Sequence, residues 1–412
     1  MDKLKQKEKI IKIAIVALFS TALILLVALI ITYINAKIEI SDRNYYESSI
    51  DDSMNITSVP TEVAQEIQDL VSEIDVSKLE KAGWIPTWAS GAGLNTLVAN
   101  PGYFNTISPV WYEVNNDGSL RLRYPTNRAS VVSHAKINSI QMMPTIGMFD
   151  HNLLGGILRS DDNLNRHVSS IVSTVNTNNY NGIDLDYESI SLADRERYFL
   201  FLQRLSSELK KSNKKLTVTV LAKWGDNVRY SYRPETREVQ DWSRISEYAD
   251  EVRIMAYDYT YSGDMYPGPI GPTGWIKQIL EYGQGKIPAN KTVLGIHLYA
   301  YEWYQDAQSG ENMEIKTDSS QNINRNPNTA RAYTFNTVTK ILAENTGEAS
   351  TFEGENIFFY SKQNSQTGIL ENRALVYIDG DGVRQRMELA SKYNLKGVVF
   401  WRLGDEGMIF NP

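Results

Sequence analysis

Eight short apolar runs, separated by stretches with helical patterning, constrain this chain more than any other feature. They are Gly83–Ala89, Ile107–Glu113, Lys136–Thr145, Gly182–Tyr187, Lys215–Leu221, Glu251–Tyr257, Thr292–Leu298 and Lys396–Trp401. Each is rich in Val, Ile, Leu or aromatic residues, with little polar alternation before its last positions. A strand that is apolar on both faces belongs in a parallel sheet covered by helices. Eight of them, alternating with helices, predict an α/β fold closed as a (β/α)8 TIM barrel. The stretch Leu192–Lys211 is one expected covering helix, with Ser189 and Ser191 before it as cap candidates.

One interval is too long for a single βα unit. About 97 residues lie between Leu298 and Lys396, against the roughly 30 that such a unit takes. The excess predicts a small α+β insertion between strands seven and eight, residues 302–390. It holds strands at Asn356–Tyr360 and Ala374–Ile378 and a helix at Arg331–Asn345. The last barrel helix follows near Val383–Tyr393. An insertion there would wall one side of a cleft at the barrel's C-terminal face.

The barrel is expected over 81–412, after three other segments. Ile13 to Ile34 is an uncharged run of 22 residues, which as a helix is about 33 Å long and spans a bilayer's hydrocarbon core. Lys3, Lys5, Lys7, Lys9 and Lys12 precede it, against Asp2 and Glu8. That balance predicts a cytoplasmic tail at 1–12, a single transmembrane helix at 13–34 and an extracytoplasmic remainder. A cleaved signal peptide ending near Ala36 is the competing reading, but signal cores run to about 7–15 residues; with cleavage the body would be secreted. Residues 35–80 read as an acidic, polar stalk. Within it Val63, Ile67, Leu70 and Ile74 fall at helical spacing.

Composition narrows the chemistry. The net charge is −7 with no basic block beyond the N-terminus, so nucleic acid is a poor partner. The absence of cysteine removes disulfides, thiolate metal sites and a Cys nucleophile. His134, His151, His167 and His297 show no metal-ligand spacing, and no metal or other cofactor is expected. The 24 Tyr and 8 Trp supply flat faces that suit sugar rings as well as strands.

The fourth run ends in Asn181-Gly182-Ile183-Asp184-Leu185-Asp186-Tyr187-Glu188. Alternate residues of a strand share a face, so Asp184, Asp186 and Glu188 form one row with neighbours about 6.6 Å apart. Inside a barrel, three ionised carboxylates would be costly, and like charges raise at least one pKa. A raised-pKa acid beside a carboxylate is what general acid catalysis requires. On the residues alone two other readings stay open: an exposed edge strand with acidic decoration, and a Ca²⁺ or Mg²⁺ site. Apolar Ile183 and Leu185 count against the first.

This segment resembles the D-x-x-D-x-D-x-E signature of family 18 glycoside hydrolases, on the strand where that family carries it. Met255-Ala256-Tyr257-Asp258 resembles the family's M-x-Y-D motif on strand six, and Trp401 its sugar-floor tryptophan on strand eight. Gly83–Trp88, Ser108–Tyr112 and Phe400–Gly404 are similar to the bacterial branch of spore-germination and cell-wall glycosylases. The resemblance runs from Gly83 to the C-terminus. It implies that Glu188 protonates the glycosidic oxygen and later activates water. It implies that Asp186 orients the substrate's N-acetyl group, the nucleophile in this family, and that Asp184 holds Asp186 and stores a proton. Tyr257 would bond the acetamido oxygen, Asp258 would contact the reacting sugar and Trp401 would stack under it. Trp88, Trp111 and Tyr299 are further candidates for lining subsites, as are Trp84 and Trp224. Asn181 stands where the first Asp is usual, far from the bond to be cut, so its effect is expected on support rather than chemistry.

The expectation is a glycosidase acting with retention on glycans containing N-acetylglucosamine, peptidoglycan or chitin-like. Two alternatives carry different tests: a barrel that binds the glycan without cleaving it, and an envelope scaffold using the insertion.

Overall fold

The computed structural model describes residues 75–306, 330–407 and 409–410. The expected tail, transmembrane helix and nearly all of the stalk lie outside the described residues. Among the described residues no helix is long and apolar enough to cross a membrane. The end of the stalk is described: Val76–Lys78 forms a 3-10 turn, capped by Asp75, before the first strand opens at Glu80.

Strands β1 (Glu80–Pro86), β2 (Thr106–Val114), β3 (Leu120–Leu122), β4 (Gln141–Met142), β5 (Thr145–Met148), β6 (Gly182–Tyr187), β7 (Lys215–Leu221), β8 (Glu251–Met255) and β9 (Thr292–His297) follow in order. A second group comprises β10 (Tyr299–Asp306), β11 (Ala330–Thr334), β12 (Gly347–Phe352), β13 (Glu355–Gln363) and β14 (Leu370–Tyr377), and β15 (Gly397–Trp401) comes last. The order β1-β15-β9-β8-β7-β6-β5-β2 is parallel throughout, and pairing of β1 with β2 closes it. This is an eight-stranded parallel barrel. β6 stands across the barrel from β15, four staves away in either direction.

Helices cover the barrel through apolar stripes. Asp161–Thr177 buries Leu164, His167, Val168, Ile171 and Val175, one face at 3.6 periodicity. Ser160 caps it by accepting from Asn163 N at 3.3 Å. Each fully buried Leu, Ile or Phe in this layer contributes about 1.5–3 kcal/mol.

Lys136–Thr145, expected as one strand, is split. Lys136 and Ile137 finish a helix (Arg128–Ile137) that buries Val131 and Ala135. Pro144, which has no N–H to give a ladder, separates β4 from β5. The helix expected from Arg331 starts at Phe335, because Ala330–Thr334 pairs antiparallel with Tyr299–Trp303. Neither Ser189 nor Ser191 caps the helix Arg195–Lys211. A 3-10 turn, Leu192–Asp194, intervenes, and Ser191 precedes it without a side-chain bond.

Between β9 and β15 the chain builds a five-stranded sheet, β11-β10-β14-β13-β12, with a helix at Phe335–Glu344. Its fastening to the barrel is polar and buried. Glu355 accepts from Ile270 N at 2.7 Å, Gly271 N at 2.6 Å and Arg386 Nη2 at 2.8 Å. Arg386 lies on the helix Gly380–Lys392, which returns the chain to β15.

Candidate active site

The three acids of β6 occupy different environments. Asp184, wholly buried, receives only donors: Trp84 Nε1 at 2.8 Å and Thr145 Oγ1 at 2.7 Å on Oδ2, and Thr219 Oγ1 at 3.0 Å on Oδ1. The parallel register sets Thr145 directly beside Asp184 and Thr219 beside Asp186. Arg253, buried at the barrel axis, brings Nη1 to 3.5 Å from Asp184 Oδ2 and donates to Ser108 Oγ at 2.6 Å.

Asp186 is next up the strand and half-buried. Its Oδ1 is enclosed by protein and has no hydrogen-bond partner. Burial, then the charges of Glu188 and Asp184, push its carboxyl well above the usual range, against the pull of Arg233. Glu188, past the strand end, is also half-buried. Burial raises its carboxyl; Arg233 opposes the rise and Asp258 adds to it. Tyr232 OH lies 3.5 Å from Glu188 Oε2.

Tyr257, two residues beyond β8, stands among these acids. Its phenol is pushed well above its ordinary value by burial, then by Asp186, Asp258, Glu188 and Asp184. Gly295 on β9 makes room for it: a Cβ there would sit 2.6 Å from the Ile254 carbonyl oxygen and 3.1 Å from the Tyr257 ring. Asp258 follows in the left-handed region at φ 60°, where a non-glycine residue stores about 1–2 kcal/mol. That turn aims its carboxylate at β10, whose Tyr299 and Tyr301 hydroxyls both donate to Oδ1, the latter at 3.1 Å. Tyr299 stands edge-on to Tyr257, ring centroids 6.4 Å apart.

Trp401 is half-buried at the end of β15, across the mouth from Glu188, edge-on to Trp84 at 5.9 Å. Trp88, just beyond β1, is 70% exposed at the same rim.

The structure thus gathers Asp186, Glu188, Tyr257, Asp258, Tyr299 and Trp401 at one end of the barrel, with Asp184 beneath them and Trp88 on the edge. It does not bring Trp111 there. Trp111 is fully buried in the main core, with the Arg128 guanidinium over its ring at 5.5 Å. It points outward from β2 into the helix layer, so the expected subsite role is withdrawn. Asn181 lies at the opposite end of β6, where Oδ1 accepts from Met142 N at 2.9 Å and its carbonyl accepts from Lys215 N at 3.0 Å. It ties strand bottoms together.

Motif reading missed the partners of the acids: the Trp84 indole as a donor, Thr145, Thr219, Tyr301, the Tyr232–Arg233 pair and above all Arg253. A signal existed for Arg253, a lone cation inside the apolar run Glu251–Met255. Among the described residues no group of three or more His, Asp or Glu is arranged to hold a metal ion.

A buried row of acids, graded from a fully donated carboxylate to a proton-holding one at the mouth, suits proton transfer to a bound ligand. The model of the glycosyl hydrolases family 18 matches residues 104–406. The chain belongs to that family. It is therefore a glycosidase by descent, and its relatives include cortex-lytic enzymes and chitinases. The uncharacterised glycosylase YvbX of Bacillus subtilis is 26% identical over 329 residues, covering 79% of this chain and 88% of the relative. The cortical fragment-lytic enzyme of Bacillus anthracis is 25% identical over 316 residues, 75% of this chain and 66% of that protein. Two solved structures share the fold. The spore cortex-lytic enzyme SleL of Bacillus cereus superposes with a TM-score of 0.66 at 21% identity, covering 79% of this chain and 71% of that one. A chitinase of Chromobacterium violaceum gives 0.66 at 19%, covering 81% and 96%.

Proposed function

We propose that this family 18 chain is an exported, retaining glycosidase that cleaves β-1,4 bonds in N-acetylglucosamine-containing glycans, by substrate-assisted catalysis. One observation carries the reading: Asp186 Oδ1 is enclosed and unpartnered beside Glu188, whose carboxyl holds its proton above the usual range. An enclosed acceptor without a donor is a place for a ligand N–H, and the acetamido N–H of a −1 sugar supplies one.

In this mechanism Glu188 gives its proton to the glycosidic oxygen as the bond to C1 breaks. The acetamido carbonyl oxygen, turned toward C1 by the bond from its N–H to Asp186, closes the oxazolinium ring. Asp186 and Asp184 oppose the positive charge that develops. Tyr257 OH bonds the acetamido oxygen. Glu188, now a carboxylate, takes a proton from water, which attacks C1 on the face the leaving group vacated, so configuration is retained. Trp401 floors the −1 sugar, Asp258 held by Tyr299 contacts it, and Trp88 extends the platform.

Ile13–Ile34, after five lysines, supports a membrane tether with the barrel outside, where the cell's own wall is the nearest glycan. Relatives described as cortical fragment-lytic support peptidoglycan over chitin. The test is digestion of purified peptidoglycan and N-acetylglucosamine oligomers by the full chain and Glu188→Gln, with products read by mass spectrometry. Turnover by the wild type alone is expected. Binding without turnover by the wild type would leave only the carbohydrate-binding barrel. Carbonate extraction of membranes tests the tether, and release of the chain would replace it with secretion.

A further inference from the structure

The segment after β7 is chemically unlike the rest of an acidic chain. From Lys223 to Arg237 it carries Lys223, Arg229, Arg233 and Arg237 against Asp226 and Glu235. Arg233 sits in the left-handed region at φ 45°, a conformation Arg seldom adopts and one that clusters at functional sites. Its Nε donates to Tyr232 OH at 2.9 Å, and its guanidinium lies 5.3 Å from the Tyr232 ring centroid. The same Tyr232 hydroxyl faces Glu188 Oε2. Arg233 is thus held by its Nε edge beside the acid, half-exposed.

Behind this pair the basic surface continues. Arg237 donates to the Tyr232 carbonyl oxygen and lines a groove of about 620 Å³. Five cations (Arg195, Lys223, Arg229, Arg237 and Lys286) border that groove against three carboxylates. A groove of this size accommodates an extended peptide of a few residues, and its charge favours an anionic one.

We propose that Arg233, presented by Tyr232 beside Glu188, binds a carboxylate of the stem peptide carried by the sugar next to the scissile bond, the peptide running on into the groove. The guanidinium's Nη edge offers the paired N–H donors that a carboxylate accepts bidentately. The site would then select peptide-bearing glycan strands over uncharged N-acetylglucosamine polymers. The inference rests on the glycosidase reading above and names its substrate class.

The experiment uses the full chain and three substrates from one peptidoglycan preparation: native strands; strands treated with an amidase, which keep only the lactyl carboxylate; and native strands whose carboxylates are amidated with carbodiimide and ammonia. Arg233→Gln is expected to lower kcat/KM on native strands relative to amidated ones about tenfold, mostly through KM. Arg233→Lys should restore part of that preference, and wild-type KM on native strands should rise with salt. Any effect of the substitution on Glu188 itself is common to all substrates and cancels in the ratio. On amidase-treated strands, which have lost the peptide, the dependence on Arg233 is expected to disappear; its full persistence there would overturn the assignment to the peptide's carboxylate. An unchanged ratio, or an equal fall on every substrate, overturns the proposal. Should the wild type cleave nothing, the glycosidase reading fails on its own. The ratio of Kd values for native and amidated strands, wild type against Arg233→Gln, then decides the carboxylate site.

Discussion

The floor and the mouth of this barrel are built from the same residue types and behave oppositely. On the floor every carboxylate has cations and donors. Asp184 receives Trp84, Thr145, Thr219 and Arg253; Glu251 lies 3.5 Å from Arg253 Nη2 and 2.8 Å from Lys396 Nζ. Burial alone would raise the Glu251 carboxyl, but Arg253 and Lys396 outweigh it and hold it below its ordinary value. At the mouth, burial raises both Asp186 and Glu188, neighbouring acids add to the rise, and Arg233 opposes it without overcoming it. All three acids are penalised by burial; cationic partners strong enough to outweigh it are what separate Glu251 from the two at the mouth.

The two regions therefore carry opposite pH signs. Glu251, depressed in the fold, stabilises above its unfolded pKa and loses that contribution as pH falls through the folded value. Asp186 and Glu188, raised in the fold, contribute stability below their unfolded pKa near 4 and lose it as pH rises through their folded values. At neutral pH the floor supports the mouth.

Breaking the mouth should show in rate alone. Glu188→Gln should lower kcat on N-acetylglucosamine oligomers by about 10³-fold, within the range for a lost general acid, with denaturation midpoint little changed. The wild type's kcat should fall as pH rises through the raised Glu188 value, and Glu188→Gln should lack that limb. A break in the floor should show in stability instead. Arg253→Met strands Asp184 and Glu251, and urea titration should show a loss of about 3–5 kcal/mol. A second substitution, Asp184→Asn, should recover part of it if the two charges form one unit.

Two tryptophans sharpen the same contrast. Trp111→Ala should cost about 3 kcal/mol in the same titration with KM unchanged, since it opens a cavity in the core. Trp401→Ala should lower kcat/KM about tenfold, with stability within about 1 kcal/mol of the wild type. The smallest effect on stability is also the most diagnostic. Asp186→Asn should raise the thermal midpoint at pH 7, by an amount within about 1 kcal/mol, and lose the gain toward pH 4 while abolishing turnover. A stability loss at pH 7 would show that Asp186 is an ordinary buried ion pair partner.

Much of this was legible in the residues. Gly182–Tyr187 and Lys215–Leu221 coincide with β6 and β7, because central barrel strands are apolar on both faces and turn residues bound them. The third stave was not: Pro144 breaks it, and the helix stripe of Val131 and Ala135 runs into it without a break in hydrophobicity. β11 was read as helix because Ala330–Thr334 pairs only with Tyr299–Trp303, some thirty residues away, and local pattern carries no record of that partner. The acid row was readable from period-two spacing, and the same spacing applied to β2 turns Trp111 outward, since Ser108 and Val110 face the barrel interior; its aromatic type alone had suggested a subsite.

The floor's ion chain has a further consequence for how the molecule comes together. It runs from Asp184 through Arg253 and Glu251 to Lys396, whose Nζ also lies 3.6 Å from Glu80. Those groups belong to β6 and β8, the segment opening β15, and β1, so the first and last staves close the circuit around the middle ones. Until the C-terminal stave docks, Glu251 lacks its ammonium partner and the interior holds charges in excess. A seven-stave barrel ending before Lys396 is therefore no resting point, and the barrel should assemble in one cooperative step rather than stave by stave.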